Sequence, residues 1–582
     1  MTNELIARQL KELGVYLQMF EVPFKPQAYE KAALIIESLN EEVSEIYKKE
    51  GKRGLTKIPG IGKGIADKIQ ELLKTGRIKE LEQYRKKIPV DLDNLTKIEG
   101  LGPKTIKTLY QKLGIRTVVD LEKAARAGKI RTLPKFGLKS EQNILESLEF
   151  YNKTPSRFLL DEAYALAHQI IVELKKSSDI NQIVAAGSLR RMKETIGDID
   201  LLAVTKKPTP EAARKIMNTF INLKGVVKVW EYGLSKSSVR FSKGLDCDLR
   251  LVKPEEFGSA LLYFTGSKEH NIALRKIALD QGYKLNEYGL FKGQRQIAGS
   301  SEEEIYKILG LSYIEPELRE NTGEIEAALA HQLPRLVSLD DIQGDLHCHS
   351  DWDGGANSIE EIMKAAQEKG YHYVGISDHT KFLRIEHGLD EKQLLAQHEV
   401  IKKLNEKLKK NNINFTILHG CETNILSDGS LDISNKILAQ LDYVIAGIHS
   451  QMKMSQAEMT QRLLKAIQNP NIDIISHPTG RLINKRGEYL INLEKILKAA
   501  KKYRTILEVN SSPVRLDLND KNIKKAIKLG VRLVINTDSH QLDQLSFMKF
   551  GIAQARRGWA TKENIINAWP IEKLWECFKK GA

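Results

Sequence analysis

Residues 185–204 read AAGSLRRMKETIGDIDLLAV: an apolar strand end, a turn at Gly187 and Ser188, then a second strand carrying Asp198 and Asp200. Alternate residues of a strand face the same side, so this D-x-D sets two carboxylates together. A third acid, Asp248 in the β-like run CDLRLV, is expected to approach them from the neighbouring strand. Three carboxylates suit a pair of Mg²⁺ or Mn²⁺ ions, and nucleotidyl transfer uses such a pair, about 3.5 to 4 Å apart, on the attacking and leaving oxygens. Gly187 allows the backbone to approach phosphate, while Ser188 and Arg191 can donate to a triphosphate near a helix start. Alone, a D-x-D is more often an ordinary strand end. The turn before it and the DLRL run after it give this one its meaning.

Around this stretch, a helix from Phe158 precedes the β-rich runs QIVAAGS, IDLLAVT, VVKVW and CDLRLV, which predicts an α/β or α+β layer ending at Val252, before Pro254. The spacing from GS to DID to DLRL resembles the nucleotidyltransferase superfamily. Its members also act on tRNA ends, mRNA tails and antibiotics, so the resemblance does not by itself imply DNA.

DNA enters through the flanks. TKIPGIGKGIADKI from Thr56 is echoed by TKIEGLGPKTIKTL from Thr96 and more weakly by TLPKFGLKSEQNI from Thr132. These glycine-bracketed turns, with Gly60, Gly62, Lys63 and Gly64 in the first and Gly100, Gly102 and Lys104 in the second, resemble helix-hairpin-helix elements. In such elements the turn amides face DNA phosphates, often around K⁺ or Na⁺, and binding is sequence-independent and salt-sensitive. A glycine helix cap explains one copy well but two copies poorly.

Downstream, LLYFTGSKEHNIALR resembles the motif of family X DNA polymerases, typified by DNA polymerase beta, and the likeness spans about residues 1–318 in that family's domain order. It implies Tyr263 and Phe264 at the sugar, Gly266 in the nucleotide site, Asn271 at the minor-groove edge of the incoming nucleotide and Arg275 near the template. Lys268 departs from the pattern, standing where polymerase beta has an acid. Lys68 matches that enzyme's Schiff-base lysine, which implies a deoxyribose-phosphate lyase. A phosphate-binding lysine is the plainer reading.

After Gln343 seven strand-like runs recur with helical or loop segments between most of them, which predicts a parallel barrel or sheet. Donors cluster at the run ends: His347, His349, Asp353, His379, Glu422, His449, His477, Asp538 and His540. Nine donors exceed one tetrahedral ion and suggest two or three metals, with Mn²⁺, Zn²⁺ or Fe²⁺ suited to mixed imidazole and carboxylate. The set resembles the polymerase and histidinol phosphatase (PHP) domain over about residues 340–575, with Asp351 an alternative to Asp353. That implies phosphoester hydrolysis, a 3′–5′ exonuclease and removal of abasic-site ends. Lys381 and Arg384 are candidate phosphate contacts, while His372, His387, His398 and His419 read as structural or exposed.

The expected fold is therefore multidomain: helical helix-hairpin-helix N-terminal domains, an α/β nucleotidyltransferase palm plus thumb, and a C-terminal PHP-type (β/α)7 distorted barrel. The divisions expected are 1–90 (lyase-like), 91–150 (fingers-like), 151–255 (palm), 256–318 (thumb), a linker at 319–339, and 340–582. With 582 residues, several cores are required. The net charge of +15 suits a polyanion but is weak evidence alone. Four scattered cysteines, no leader-like segment and no membrane-length apolar run imply the reducing cytoplasm and no membrane. The family X resemblance implies a monomer that uses gapped duplex DNA and deoxynucleoside triphosphates. The competing readings are a small-molecule phosphatase fused to a transferase and a DNA scaffold with decayed sites.

Overall fold

The computed structural model describes residues 3–37, 42–58, 60–96, 98, 101–134, 136–153, 157–177, 179–206 and 209–579. Up to Lys153 the described chain is helical, with one core running from Ile6 to Leu148. The two main hairpins end in amphipathic helices, Lys63–Thr75 and Pro103–Leu113, which bury Ile65, Ile69 and Leu72, and Ile106 and Leu109. Gly62 and Gly102 cap them, and neither helix has an acid in its first turn, so each positive helix end is left available to an anion.

The palm is a five-stranded sheet in the spatial order Ile180–Ala185, Asp198–Thr205, Asp246–Val252, Lys236–Phe241, Val226–Tyr232. Its central pair, Asp198–Thr205 and Asp246–Val252, is parallel, and the other pairings are antiparallel. The run from Leu201 to Thr205 is buried throughout, as a strand covered on both faces must be. Helices Phe257–Thr265 and Lys268–Asp280 then lead into a three-stranded antiparallel sheet and helix Glu302–Ile308.

Residues 319–339 are not a linker over their whole length. Arg319 is fully buried, with its guanidinium 2.5 Å from Glu302, and Glu324 is equally buried, accepting from the Asn321 and Thr322 amides. Helix Glu324–Leu329 adds Ile325 and Ala328 to the thumb core. A polar composition suggested an exposed connector, but each buried charge here has a partner, which is the condition under which charges enter a core.

The C-terminal domain carries parallel strands in two groups. Gly344–Cys348, Tyr373–Ile376 and Thr416–His419 form one, and Glu422–Asn424, Ile445–Gly447, Ile474–Ile475, Ile506–Asn510 and Leu533–Asn536 form the other. Bridges His379–Glu422 and Cys348–Ser539 join the groups into a distorted barrel, as the PHP resemblance implies, where strand and helix alternation left barrel or sheet open. The expected run TILHGCE is split between two strands. The barrel is packed onto the palm: its Leu516 and Phe550 belong to the palm core, and Arg481 pairs with Glu194 at 2.7 Å. Among the described residues no helix is long and apolar enough to cross a membrane.

Candidate active sites

In the palm, strand register places Asp200 directly opposite Asp248 and Asp198 opposite Asp246. Equivalent positions on adjacent parallel strands point the same way, so Asp198, Asp200 and Asp248 share one face. Burial, then the charges of Asp198 and Asp248, push the Asp200 carboxyl up to about 7. Asp198 is raised by burial and by Asp248. Such crowding of like charge is what a bound cation relieves. Gly187 is required beside it: with φ at +61°, a Cβ there would lie 2.2 Å from Asp200 Oδ2. Ser238 donates to Asp248 at 2.6 Å, and Lys236 and Arg250 flank it at 3.2 and 3.6 Å. Asp246 is held in a two-pronged pair by Arg240, so it is already neutralised.

A cavity of about 450 Å³ opens beside these acids, lined by Gly187, Ser188, Arg191, Tyr263, Phe264, Gly266, Lys268, Asn271 and Arg275, together with Arg157 and Lys193. Every residue expected at the nucleotide is therefore gathered in one place. The Tyr263 and Phe264 rings meet edge to face at 5.1 Å. The Asn271 amide donates to the Tyr263 carbonyl at 2.7 Å, which ties the helix carrying Asn271 and Arg275 to the aromatic pair.

In the hairpins, Gly62, Gly64 and Gly102 face open space, where a side chain would only obstruct an approaching backbone. Lys63 is exposed, and Lys104 is exposed and pairs with Glu21 at 2.5 Å. Gly60 has φ +87°, and a Cβ there would meet Ile35. Gly100 lies outside the described residues. Lys68 pairs with Glu80 at 2.7 Å.

In the barrel all nine expected donors converge. Glu422 is the hub: one oxygen lies 3.5 Å from His347 and 2.9 Å from His379, the other 3.5 Å from His449 and 3.1 Å from His477. Burial raises the Glu422 carboxyl, but the histidines outweigh burial and hold it well below the usual range. Asp538 lies 3.6 Å from His347 and 3.3 Å from His349, and the His540 ring stacks on His349 at 4.1 Å. Asp353 accepts from His349 Nδ1 at 2.8 Å, whereas Asp351 is exposed.

Buried His347 Nε2, His349 Nε2, His379 Nδ1 and Glu422 Oε2 have no hydrogen-bonding partner, although their neighbours are in ion-pair range. Buried polar atoms are rarely orphaned. Atoms that converge without bonding each other fit bound metal, and triads such as His349, His379 and His540 have their ligand atoms within 4.8 Å of one another.

The sequence reading missed the residues behind these donors. Glu508, fully buried, lies 2.7 Å from His347 Nδ1, and Asn424 lies 2.7 Å from His449 Nδ1, so each fixes a ring orientation. Buried Asp378, pushed up to about 7 by burial and then by Asp353, is held by Ser350 and Gln397. The only signal for Glu508 was an acid inside the β-branched run TILEVN. Glu508→Gln should lower metal affinity or hydrolysis by about 10- to 100-fold, the usual cost of losing such a support. A metal titration followed by phosphodiester assay checks this, and unchanged affinity and rate would refute the orienting role. Lys381 pairs with Glu391, and Arg384 is exposed beside it. His372 and His387 are exposed, while His398 and His419 bond each other outside the cluster.

A helix-hairpin-helix domain family matches residues 1–78 and a SAM-like helix-hairpin-helix tandem matches 92–149, which includes the weak third echo. The DNA polymerase beta thumb matches 260–320 and the PHP domain 345–512. The chain is 38% identical over 580 residues to the DNA polymerase/3′-5′ exonuclease PolX of Bacillus subtilis (strain 168), covering 99% of both sequences. It is 27% identical over 343 residues to DNA polymerase lambda of Rattus norvegicus, 55% of this chain and 56% of that one. A probable phosphatase of Thermoanaerobacter sp. (strain X514) is 29% identical over 248 residues, 40% of this chain and 94% of that one. Fold and matches together define a polymerase core of the nucleotidyltransferase type joined to a metal-dependent phosphoesterase. The chain belongs to the bacterial family X DNA polymerases that carry a C-terminal PHP domain.

Proposed function

We propose that the palm fills short gaps in duplex DNA during base excision repair and that the barrel trims 3′ ends. The observation that carries the first half is the register pairing of Asp200 with Asp248 beside a cavity floored by Gly187. Asp198, Asp200 and Asp248 would hold Mg²⁺ or Mn²⁺, and the nine barrel donors would hold two or three ions of Mn²⁺, Zn²⁺ or Fe²⁺. Bound there, such ions would supply charge neutralisation for pyrophosphate release in the palm and activation of water in the barrel.

The protein's own groups do the rest. Ser188 and Arg191 grip the triphosphate, Tyr263 and Phe264 line the sugar, Asn271 lies at the minor-groove edge of the incoming nucleotide and Arg275 near the template. Gly60, Gly62, Lys63, Gly64, Gly102 and Lys104 present amides and charge to DNA phosphates, where K⁺ or Na⁺ would supply added positive charge. The reading implies a cytoplasmic monomer. Lys68 as a lyase nucleophile is tested by borohydride trapping on an incised abasic site.

A labelled primer on a one-nucleotide gap with a downstream 5′ phosphate, in Mn²⁺ with and without deoxynucleotides, tests the whole. Extension lost only in Asp200→Ala, and shortening lost only in His349→Ala, is the expected pattern. A primer unchanged by folded, metal-loaded protein would refute it and turn attention to small phosphate monoesters.

A further inference from the structure

Arg191 and Lys193 line the palm cavity, yet the groups that hold them come from the thumb and the barrel. Arg557, at the end of the barrel helix Met548–Arg557, has a side chain only 2% exposed. Its guanidinium donates to the Arg191 carbonyl at 2.9 Å, to Glu320 at 3.1 Å and to Asp520 at 2.6 Å. Glu320 in turn receives Arg191 Nε at 3.0 Å and lies 3.7 Å from Lys193 Nζ.

The cluster thus joins three cations, Arg191, Lys193 and Arg557, to two carboxylates, Glu320 and Asp520. Both carboxylates stay ionised: burial raises them, but Arg557 and Lys193 outweigh burial and bring each to about 2. Counted alone, this cluster holds one more cation than carboxylate, and Arg191 and Lys193 line the cavity beside Ser188 and Gly187, in the same lining as Asp198 and Asp200. Burial and then Arg557 lower the Lys193 ammonium from its usual range. Keeping Lys193 charged in a half-buried site is costly, and a polyphosphate placed there would pair with both cations and offset that cost.

We propose that Lys193 is a further triphosphate-binding residue and that Arg557 of the barrel positions Lys193 and Arg191, so that the PHP domain completes the nucleotide pocket of the polymerase. The proposal rests on the palm being a nucleotidyltransferase site. Arg557 is a positioning residue: it reaches the pocket through the Arg191 backbone and through Glu320. Arginine suits the task because one planar fork can serve three acceptors at fixed angles.

The test uses the full chain on gapped DNA with a dideoxy-terminated primer and Ca²⁺, titrated with a fluorescent deoxyadenosine triphosphate analogue. Lys193→Met and Arg557→Met should each weaken nucleotide binding about tenfold or more, the scale of one lost charged contact. Arg557→Lys, which keeps the charge but not the fork, should fall between. Affinity for DNA and barrel hydrolysis of bis(4-nitrophenyl) phosphate should not move.

Wild-type nucleotide affinity in Lys193→Met would overturn the proposal. So would an Arg557→Met protein that lost nucleotide affinity, DNA affinity and barrel hydrolysis in step, because that marks a general structural role. If Arg557→Met does not fold, Lys193→Met and Arg557→Lys decide. A wild-type chain that binds the analogue but extends no primer would sink the polymerase reading and leave this one standing.

Discussion

Asp200→Asn is expected to lower single-nucleotide gap filling by on the order of 10³-fold or more while the protein remains folded, since loss of a metal-holding carboxylate removes several kcal/mol of transition-state stabilisation. Asparagine keeps the shape and so preserves the close approach to Gly187. It removes one of three crowded negative charges, and Asp200 is the one whose carboxyl is pushed up to about 7 by burial and its neighbours. Without metal, that repulsion works against the fold, so the variant should melt at the wild-type temperature or slightly above it. Lost activity with undiminished stability separates a catalytic role from a structural one. Single-turnover incorporation and thermal unfolding measured together check both halves, and a rate within tenfold of wild type would remove Asp200 from the reaction. Barrel hydrolysis in the same sample should be unaffected, because the register pairing that fixes Asp200 lies wholly within the palm sheet.

Much of this arrangement is legible in the residues. The D-x-D, the turn before it and DLRL after it are local patterns, and strand periodicity alone turns them into a shared face. Most barrel donors are legible for the same reason: they stand at or just past the end of an apolar run, where a parallel strand delivers them to one rim, while Asp353 follows in a turn.

What could not be read depends on distant pairing. Arg319 and Glu324 look like linker residues until Glu302 and His270 are brought against them in the thumb core. Glu508 and Asp378 look like interruptions in apolar strands because their partners His347 and Ser350 lie far off in sequence. The contact between Arg557 and the Arg191 carbonyl spans 366 residues and two domains, and no local pattern encodes it. Periodicity reports which face a residue takes, and it carries no information about which remote charge will meet it there.

Glu422→Gln should lower barrel hydrolysis by on the order of 10³-fold, with bound metal reduced and gap filling intact. One carboxylate stands among His347, His379, His449 and His477, two imidazoles to each oxygen. Glutamine fills the same space, but one of its two head atoms becomes a donor and the group carries no charge, so it cannot serve cations on both sides. Chelation provides the complementary experiment: wild-type protein stripped of metal should lose hydrolysis and regain it on adding Mn²⁺, whereas the stripped variant should not recover. Repeating the additions with Zn²⁺ and Fe²⁺ identifies the working ion. Metal counting by mass spectrometry sets the terms of failure, since a variant that kept the wild-type metal content and a rate within tenfold would mean that Glu422 neutralises the histidines without holding an ion. Glu508→Gln should give the weaker, partly rescuable version of the same defect, because it loosens the orientation of His347 and leaves all nine donors in place.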